Sequence, residues 1–121
     1  MPAGSSKTTS PMNFPRPLAT VDVVILRLGA NGLRVLLVQR PGGADEPFPH
    51  AWALPGGFVD VQQDTDLQAC ALRKLHEKTA VRSTYLEQVG SWGGRARDPR
   101  GWSTTCVYFA LLPPTALQIG K

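Results

Sequence analysis

Long apolar runs, clustered cysteines and a strong excess of one charge are all missing from this chain. No stretch approaches the roughly 20 apolar residues of a membrane-spanning helix, and the start lacks the apolar region of a secretory signal. The two cysteines, Cys70 and Cys106, lack metal-ligand spacing and fall in apolar patterns. This favours buried, reduced thiols over a disulfide or a reactive site. We therefore expect a cytoplasmic protein without a membrane segment.

The chain has a small excess of positive charge. Thirteen Lys and Arg against nine Asp and Glu give a net charge of +4, which favours polyanionic partners without separating a nucleotide from a nucleic acid. The 121 residues, of which 42% are hydrophobic, suffice for one domain with one core. Residues 1–17 are rich in Pro, Ser, Thr and Gly and predict a disordered tail, which leaves residues 18–121 as the single domain.

Hydrophobic patterning predicts several strands around one helix. Residues 19–28 and 33–40 flank Asn31-Gly32, a hairpin signal because both residues accept positive φ. Further strand candidates are residues 58–59, 85–92 and 104–112. This order of elements predicts an α+β fold with a mixed sheet.

The helical pattern follows the turn Pro55-Gly56-Gly57. Asp66 is a suitable N-cap, and apolar residues recur at helical spacing from Leu67 to about Thr79. At about 100° per residue, four charged residues share an arc of roughly 140°, apart from most of the leucine stripe. They are Arg73, Lys74, Glu77 and Lys78. A glycine turn next to a charged helix face is the first candidate site.

A PGG turn, a spacer and a helix with Arg-x-x-x-Glu together resemble the Nudix box, G-x5-E-x7-R-E-U-x-E-E-x-G-U, in which U is aliphatic. Arg73, Leu75, Glu77 and Val81 match the helical part. The resemblance implies an α/β/α sandwich that hydrolyses nucleoside diphosphates linked to another moiety, using Mg²⁺ or Mn²⁺ held by helix glutamates. It also implies that Glu77 and the Gly56 carbonyl bind the metal, and that Arg73 braces the loop before the helix.

Most acids of this box are replaced. Lys74 and Lys78 stand where the family has Glu, Ala80 stands where it has Gly, and the longer spacer puts Gln63 or Thr65 at the first Glu position. An ammonium about 5 Å from a metal site opposes one cation charge by roughly 3 kcal/mol at an effective dielectric near 20. We therefore expect weak or absent hydrolysis and no obligatory metal. Two readings stay open for the lysines, which either hold a diphosphate directly or are ordinary exposed helix residues.

The resemblance extends beyond the box. The segments FPRPLATVDVVIL, LRVLLVQRP, WALPGGFV, YLEQVGSWG and RDPRGWSTTCVYFALL are similar to the ADP-ribose-processing branch of the family. That branch includes sensor domains of bacterial repressors of NAD metabolism, which implies a nucleoside diphosphate-linked ligand such as ADP-ribose. The family also adds a strand and a helix after FALL. Residues 113–121 are too few for both, so we expect the C-terminal elements to be truncated.

The basic loop at residues 94–101 is a second candidate site. Arginine forks bind phosphate oxygens in a bidentate way, and Trp92 and Trp102 flank the loop, where an aromatic face can stack a base. The alternative is a solvated hairpin loop with packed tryptophans. The predicted ligand residues are Gly56, Gly57, Lys74, Lys78, Arg40, Arg95, Arg97, Arg100 and Trp92.

Three functions remain open at this point. A pyrophosphohydrolase would direct water at one phosphorus of the diphosphate, a sensor domain would keep the same ligand intact, and a nucleic-acid-binding domain would track phosphates with the basic loop. Only charge supports the third function. We expect a small-molecule partner, no membrane and no nucleic acid. Nudix proteins often form homodimers, although no segment of this sequence specifies an interface.

Overall fold

The computed structural model describes residues 14–81 and 85–112. Within these ranges the strands are β1 Leu18–Gly29, β2 Gly32–Val35, β3 Val38–Gln39, β4 Trp52–Ala53, β5 Gly56–Phe58, β6 Glu87–Gly94 and β7 Ser103–Leu112. The helix α1 spans Leu67–Lys78, between β5 and β6. The predicted truncation after residue 112 and residues 1–13 of the predicted tail lie outside the described residues.

The long strand β1 organises the main sheet. The strand order is β2-β1-β7-β6, with β1 parallel to β7 and antiparallel to β2. The short strand β5 also pairs with β1, opposite Thr20 to Asp22. One strand therefore carries the predicted hairpin at its end and the glycine turn near its beginning. The predicted α+β class with a mixed sheet is confirmed.

The predicted single strand at residues 33–40 is wrong, because the chain leaves the main sheet halfway along it. The strand β2 ends at Val35, and the buried Leu36 donates its N–H to the Ile25 carbonyl at 3.0 Å. The next residues form β3, which pairs with β4 in a separate two-stranded sheet. The Arg40 N–H then donates to the Ala51 carbonyl at 2.7 Å, so the break brings Arg40 towards the glycine turn.

The core lies between α1 and one face of β1 and β7. Alternate β1 residues are buried because successive side chains of a strand point to opposite faces. The buried cluster comprises Val21, Val23, Ile25, Leu36, Cys70, Ala71, Leu75, Val81, Leu86, Cys106 and Tyr108. Both cysteines are free and buried, as predicted, and burial raises the pKa of the Cys70 thiol to about 11.

The helix α1 begins at the predicted cap. The Asp66 carboxylate accepts the Ala69 N–H at 2.8 Å, and at the other end the Thr79 N–H donates to the Leu75 carbonyl at 3.0 Å. The predicted helix and its cap are confirmed, with the end one residue before Thr79. No helix in the described part of the chain is long and apolar enough to cross a membrane.

Replacing the cap by alanine is expected to lower the free energy of unfolding by about 1 kcal/mol, since an N–H of the first turn loses its acceptor. Asp66→Asn keeps an oxygen in place and is the matched control, with most of the stability retained. Urea unfolding followed by circular dichroism measures both variants. Equal midpoints for Asp66→Ala and the wild type would contradict the capping role.

Candidate ligand cavity

The glycine turn lies directly against β1. A Cβ on Gly56 would come within 2.2 Å of the Val21 carbonyl oxygen, a contact that backbone atoms cannot accommodate without moving. Gly57 has φ of 152°, which disfavours any residue with a side chain. The two glycines therefore serve different needs, close approach at the first position and backbone conformation at the second.

Lys74 extends from α1 across this turn. Its Cε and Nζ lie 2.8 and 3.0 Å from the point that a Cβ on Gly57 would occupy. Its Nζ is also 3.5 Å from Glu77 Oε1, and its side chain is largely buried. An ammonium group thus occupies the space that the second glycine leaves open.

Arg73 connects the loop before the helix to the helix itself. Its Nε and Nη2 each donate to one Asp64 oxygen at 2.7 Å, and Nη2 also reaches the Phe58 carbonyl at 3.3 Å. The Asp64 side chain is 2% exposed and also accepts the Asp60 N–H at 2.8 Å. The fork from Arg73 holds the pKa of the Asp64 carboxyl well below its usual range. We call the Asp64–Arg73 pair the loop brace.

The residues on this face do not fit the Mg²⁺ or Mn²⁺ site of the family pattern. Glu77 has a cation beside each oxygen, with Arg73 Nη1 at 2.9 Å from Oε2 and Lys74 Nζ at 3.5 Å from Oε1. Among the described residues, no three His, Cys, Asp or Glu side chains come together. A divalent cation requires several oxygen ligands with compensating charge, and here two lysines share the helix face with Glu77.

A cavity of about 500 Å³ opens beside the glycine turn. Seven of the nine predicted ligand residues line it, and they come from four separate parts of the chain: Arg40, Gly56, Gly57, Lys74, Lys78, Arg97 and Arg100. The five cations among them surround one volume. Neither Glu77 nor Arg73 contributes to the lining, so the face of α1 that meets the cavity is basic.

Crowding of like charges is evident at Lys78. Burial, and then the neighbouring Lys74 and Arg40, lower the pKa of its ammonium. Arg40 is itself paired with Glu46 through Nε and Oε2. Because cations near one another raise the local positive potential, an anion placed between them relieves their repulsion.

The basic loop presents two arginines whose side chains are already held in place. Arg97 donates to Ser103 Oγ at 2.9 Å and to Asp22 Oδ2 at 3.2 Å. Arg100 donates to both oxygens of Asp98, at 3.1 and 2.9 Å, and its guanidinium lies 4.7 Å from the centre of the Phe58 ring. The arginines therefore lose less side-chain freedom when a ligand binds.

Two predicted ligand residues, Trp92 and Arg95, are not among those that line the cavity. Trp92 lies on β6, which β7 separates from β1, and its 56% exposed side chain lies close to Gly90. Arg95 follows the same strand and is exposed. The aromatic residues that do line the cavity were not predicted, and they are Phe48, Trp52 and Phe58.

The fold, the glycine turn and the arginine-bearing helix together define a Nudix domain. The family model described as NUDIX domain matches residues 17–119, and the chain belongs to this family.

Two relatives within this family are similar to most of the chain. The ADPR responsive transcriptional repressor NtrR of Acinetobacter baylyi is 53% identical over 106 residues, which are 88% of this chain and 41% of that protein. The NUDIX domain of Shewanella oneidensis NrtR complexed with ADP ribose has a TM-score of 0.80 and 46% identity, with 91% of this chain and 70% of that chain covered.

A DNA complex of a relative has also been solved. Shewanella oneidensis NrtR complexed with a 27mer DNA is 47% identical, with a TM-score of 0.71, and the match covers 83% of this chain and 44% of that chain. The present chain spans less than half the length of the curated relatives that it matches. The DNA complex is therefore a property of a longer protein.

Proposed function

We propose that this chain is a ligand-sensing Nudix domain that binds a nucleoside diphosphate-linked molecule such as ADP-ribose and hydrolyses it weakly or not at all. The observation that carries this proposal is the position of Lys74. Its ammonium lies over Gly57, at the turn where the family pattern leads one to expect metal ligands. A fixed ammonium offers a diphosphate the positive charge that a metal would otherwise supply.

The cavity has features suited to both parts of such a ligand. Its five cations favour a diphosphate, since charge-assisted hydrogen bonds to phosphate oxygens are stronger than neutral ones. The ring of Trp52, which lines the same cavity and is exposed, offers an aromatic face for a base. The relative solved with ADP ribose supports this ligand class, because its NUDIX domain shares the fold at 46% identity.

Hydrolysis is the second candidate, since the family pattern is that of a hydrolase. Glu77 is the residue on which the reaction would depend, yet both of its oxygens lie beside cations and it does not line the cavity. A metal bound at Glu77 would have to displace at least one of these cations from the carboxylate. The same contacts therefore favour retention of an intact ligand.

Isothermal titration in EDTA is expected to show ADP-ribose binding that added Mg²⁺ does not strengthen, because the lysines provide the positive charge. The same samples, assayed for AMP, should show little or no release. Glu77→Gln is the matched variant and should bind ADP-ribose as the wild type does. A short DNA duplex should give no heat even as salt is lowered. Robust Mg²⁺-dependent turnover that disappears in Glu77→Gln would contradict the proposal.

We also propose the bounds of the domain and its location in the cell. We take residues 18–121 as one Nudix domain, a proposal supported by the family match over residues 17–119. A cytoplasmic location suits a sensor of a soluble nucleotide, since relatives are named as transcriptional repressors. Homodimer formation stays a prediction, and sedimentation of the protein with and without ADP-ribose would measure it.

A further inference from the structure

Asp22 is one of two acids on the wall of a largely basic cavity. Its Oδ2 accepts the Thr105 hydroxyl at 2.6 Å and Arg97 Nη2 at 3.2 Å. Its Oδ1 has no hydrogen-bond partner among the described residues, although the side chain is only 25% exposed. One oxygen is therefore committed to the protein, and the other is available.

The available oxygen lies beside the glycine turn. A Cβ on Gly56 would come within 2.9 Å of Asp22 Oδ1, and both residues line the cavity. The missing side chain at position 56 thus also keeps this oxygen accessible. A larger residue would cover it.

Holding Arg97 does not by itself explain this carboxylate. Burial raises the pKa of Asp22, against the lowering effects of Thr105 and Arg97, so keeping it ionised in the cavity costs free energy. Its charge also repels a diphosphate. Asp98, the other acid of the lining, differs because both of its oxygens are bonded to Arg100. Of the two acids in this lining, Asp22 is the one with a carboxylate oxygen that has no hydrogen-bond partner among the described residues.

We propose that Asp22 is a specificity residue whose Oδ1 accepts a hydrogen bond from a ribose hydroxyl of the ligand, while Oδ2 keeps Arg97 at the cavity. This rests on the proposed binding of a nucleoside diphosphate-linked ligand. The diphosphate of a molecule such as ADP-ribose, esterified at both ends, has no proton to donate at neutral pH, whereas its sugar hydroxyls do. The cavity therefore has a cationic part for the diphosphate and one acceptor for the sugar, which together orient the ligand.

The test compares Asp22→Asn with the wild type on ADP-ribose and on inorganic pyrophosphate, which has no sugar hydroxyl. Arg97 has only donors, so the amide oxygen of the variant takes the place of Oδ2 and the NH₂ group takes the place of Oδ1. Affinity for ADP-ribose is expected to fall about fivefold to tenfold, since a charge-assisted bond is lost. Affinity for pyrophosphate is expected to stay the same or rise.

ADP as a third ligand distinguishes the two possible riboses. A parallel loss of ADP affinity assigns the hydroxyl to the adenosine ribose, and an unchanged ADP affinity assigns it to the terminal ribose. Equal losses for ADP-ribose and pyrophosphate would overturn the proposal, because Asp22 would then act only by holding Arg97. An unchanged or higher ADP-ribose affinity would overturn it as well.

Arg97→Gln is the matched control. It removes one of the two partners of Oδ2, leaves the Thr105 hydroxyl and Oδ1 in place, and takes one cation from the cavity, so affinities for ADP-ribose and pyrophosphate should fall together. If this variant lost ADP-ribose selectively, the effect of Asp22 would run through Arg97 and the direct role would be wrong. Wild-type protein that is folded but binds no ADP-ribose would instead refute the proposed function, which keeps the two failures distinct.

Discussion

Replacing both Lys74 and Lys78 by glutamate is expected to lower the affinity for ADP-ribose by about 100-fold or more. Both side chains line the cavity, so the double change reverses two charges that face the diphosphate. At about 5 Å and an effective dielectric near 20, each charge contributes roughly 3 kcal/mol to its interaction with a unit charge. Isothermal titration with ADP-ribose measures the loss.

The same variant should gain affinity for Mn²⁺, since the helix face would then carry three carboxylates. The double change to glutamine is the matched control, because it removes the ammonium groups without adding metal ligands. We expect it to weaken ADP-ribose binding by less and to leave Mn²⁺ binding unchanged. No difference in Mn²⁺ binding between the glutamate variant and the wild type would contradict the electrostatic argument.

Breaking the loop brace by Arg73→Met is expected to lower the midpoint of thermal unfolding by on the order of 10 °C. The substitution leaves the Asp64 carboxylate, which is 2% exposed, without the two 2.7 Å hydrogen bonds from the guanidinium. Glu77→Gln is the control, because it removes a contact of Arg73 with a much more exposed carboxylate. Differential scanning calorimetry of both variants provides the comparison.

Lowering the pH should show how much the Asp64–Arg73 pair contributes to stability. The pKa of Asp64 is held below its unfolded value, so its contribution to stability is complete above about pH 4 and declines as the pH falls below that. Wild-type stability should therefore decrease on acidification, and Arg73→Met should show a smaller decrease. Equal acid dependence in the two proteins would rule out the brace as its source.

Local signals predicted the elements that depend on neighbouring residues. The hairpin after β1 and the Asp66 cap are encoded within a few positions, and both occur in the structure. The turn is shifted by one residue from the prediction, because Gly29 pairs with Gly32 and leaves Ala30-Asn31 at the turn, and of the predicted pair Gly32 alone has positive φ. The break after Val35 was missed because it depends on distant partners, namely the Ile25 carbonyl and the strand β4. An apolar run by itself does not reveal which strand each half will join.

Cavity residues that belong to the family pattern could be predicted from the sequence. Lys74 and Lys78 were identified by their place in the box, whereas Asp64 fell between the two positions considered for the first acid. Asp22 was missed because a polar residue among alternating apolar ones is ordinary in a strand. The sequence did not reveal that Trp92 lies outside the lining of this cavity, because its position depends on the order of strands in the sheet.

The parallel pairing of β1 with β7 also constrains the order of folding events. It joins residues near the two ends of the described chain, as in the hydrogen bond from the Thr20 hydroxyl to the Thr104 carbonyl, 84 positions away. Contacts between such distant segments form slowly, because a long loop must close first. During synthesis, the glycine turn and α1 leave the ribosome before β7, so Ser103 and Thr105 of β7 can hold Arg97 and Asp22 at the cavity only after this last described strand has emerged.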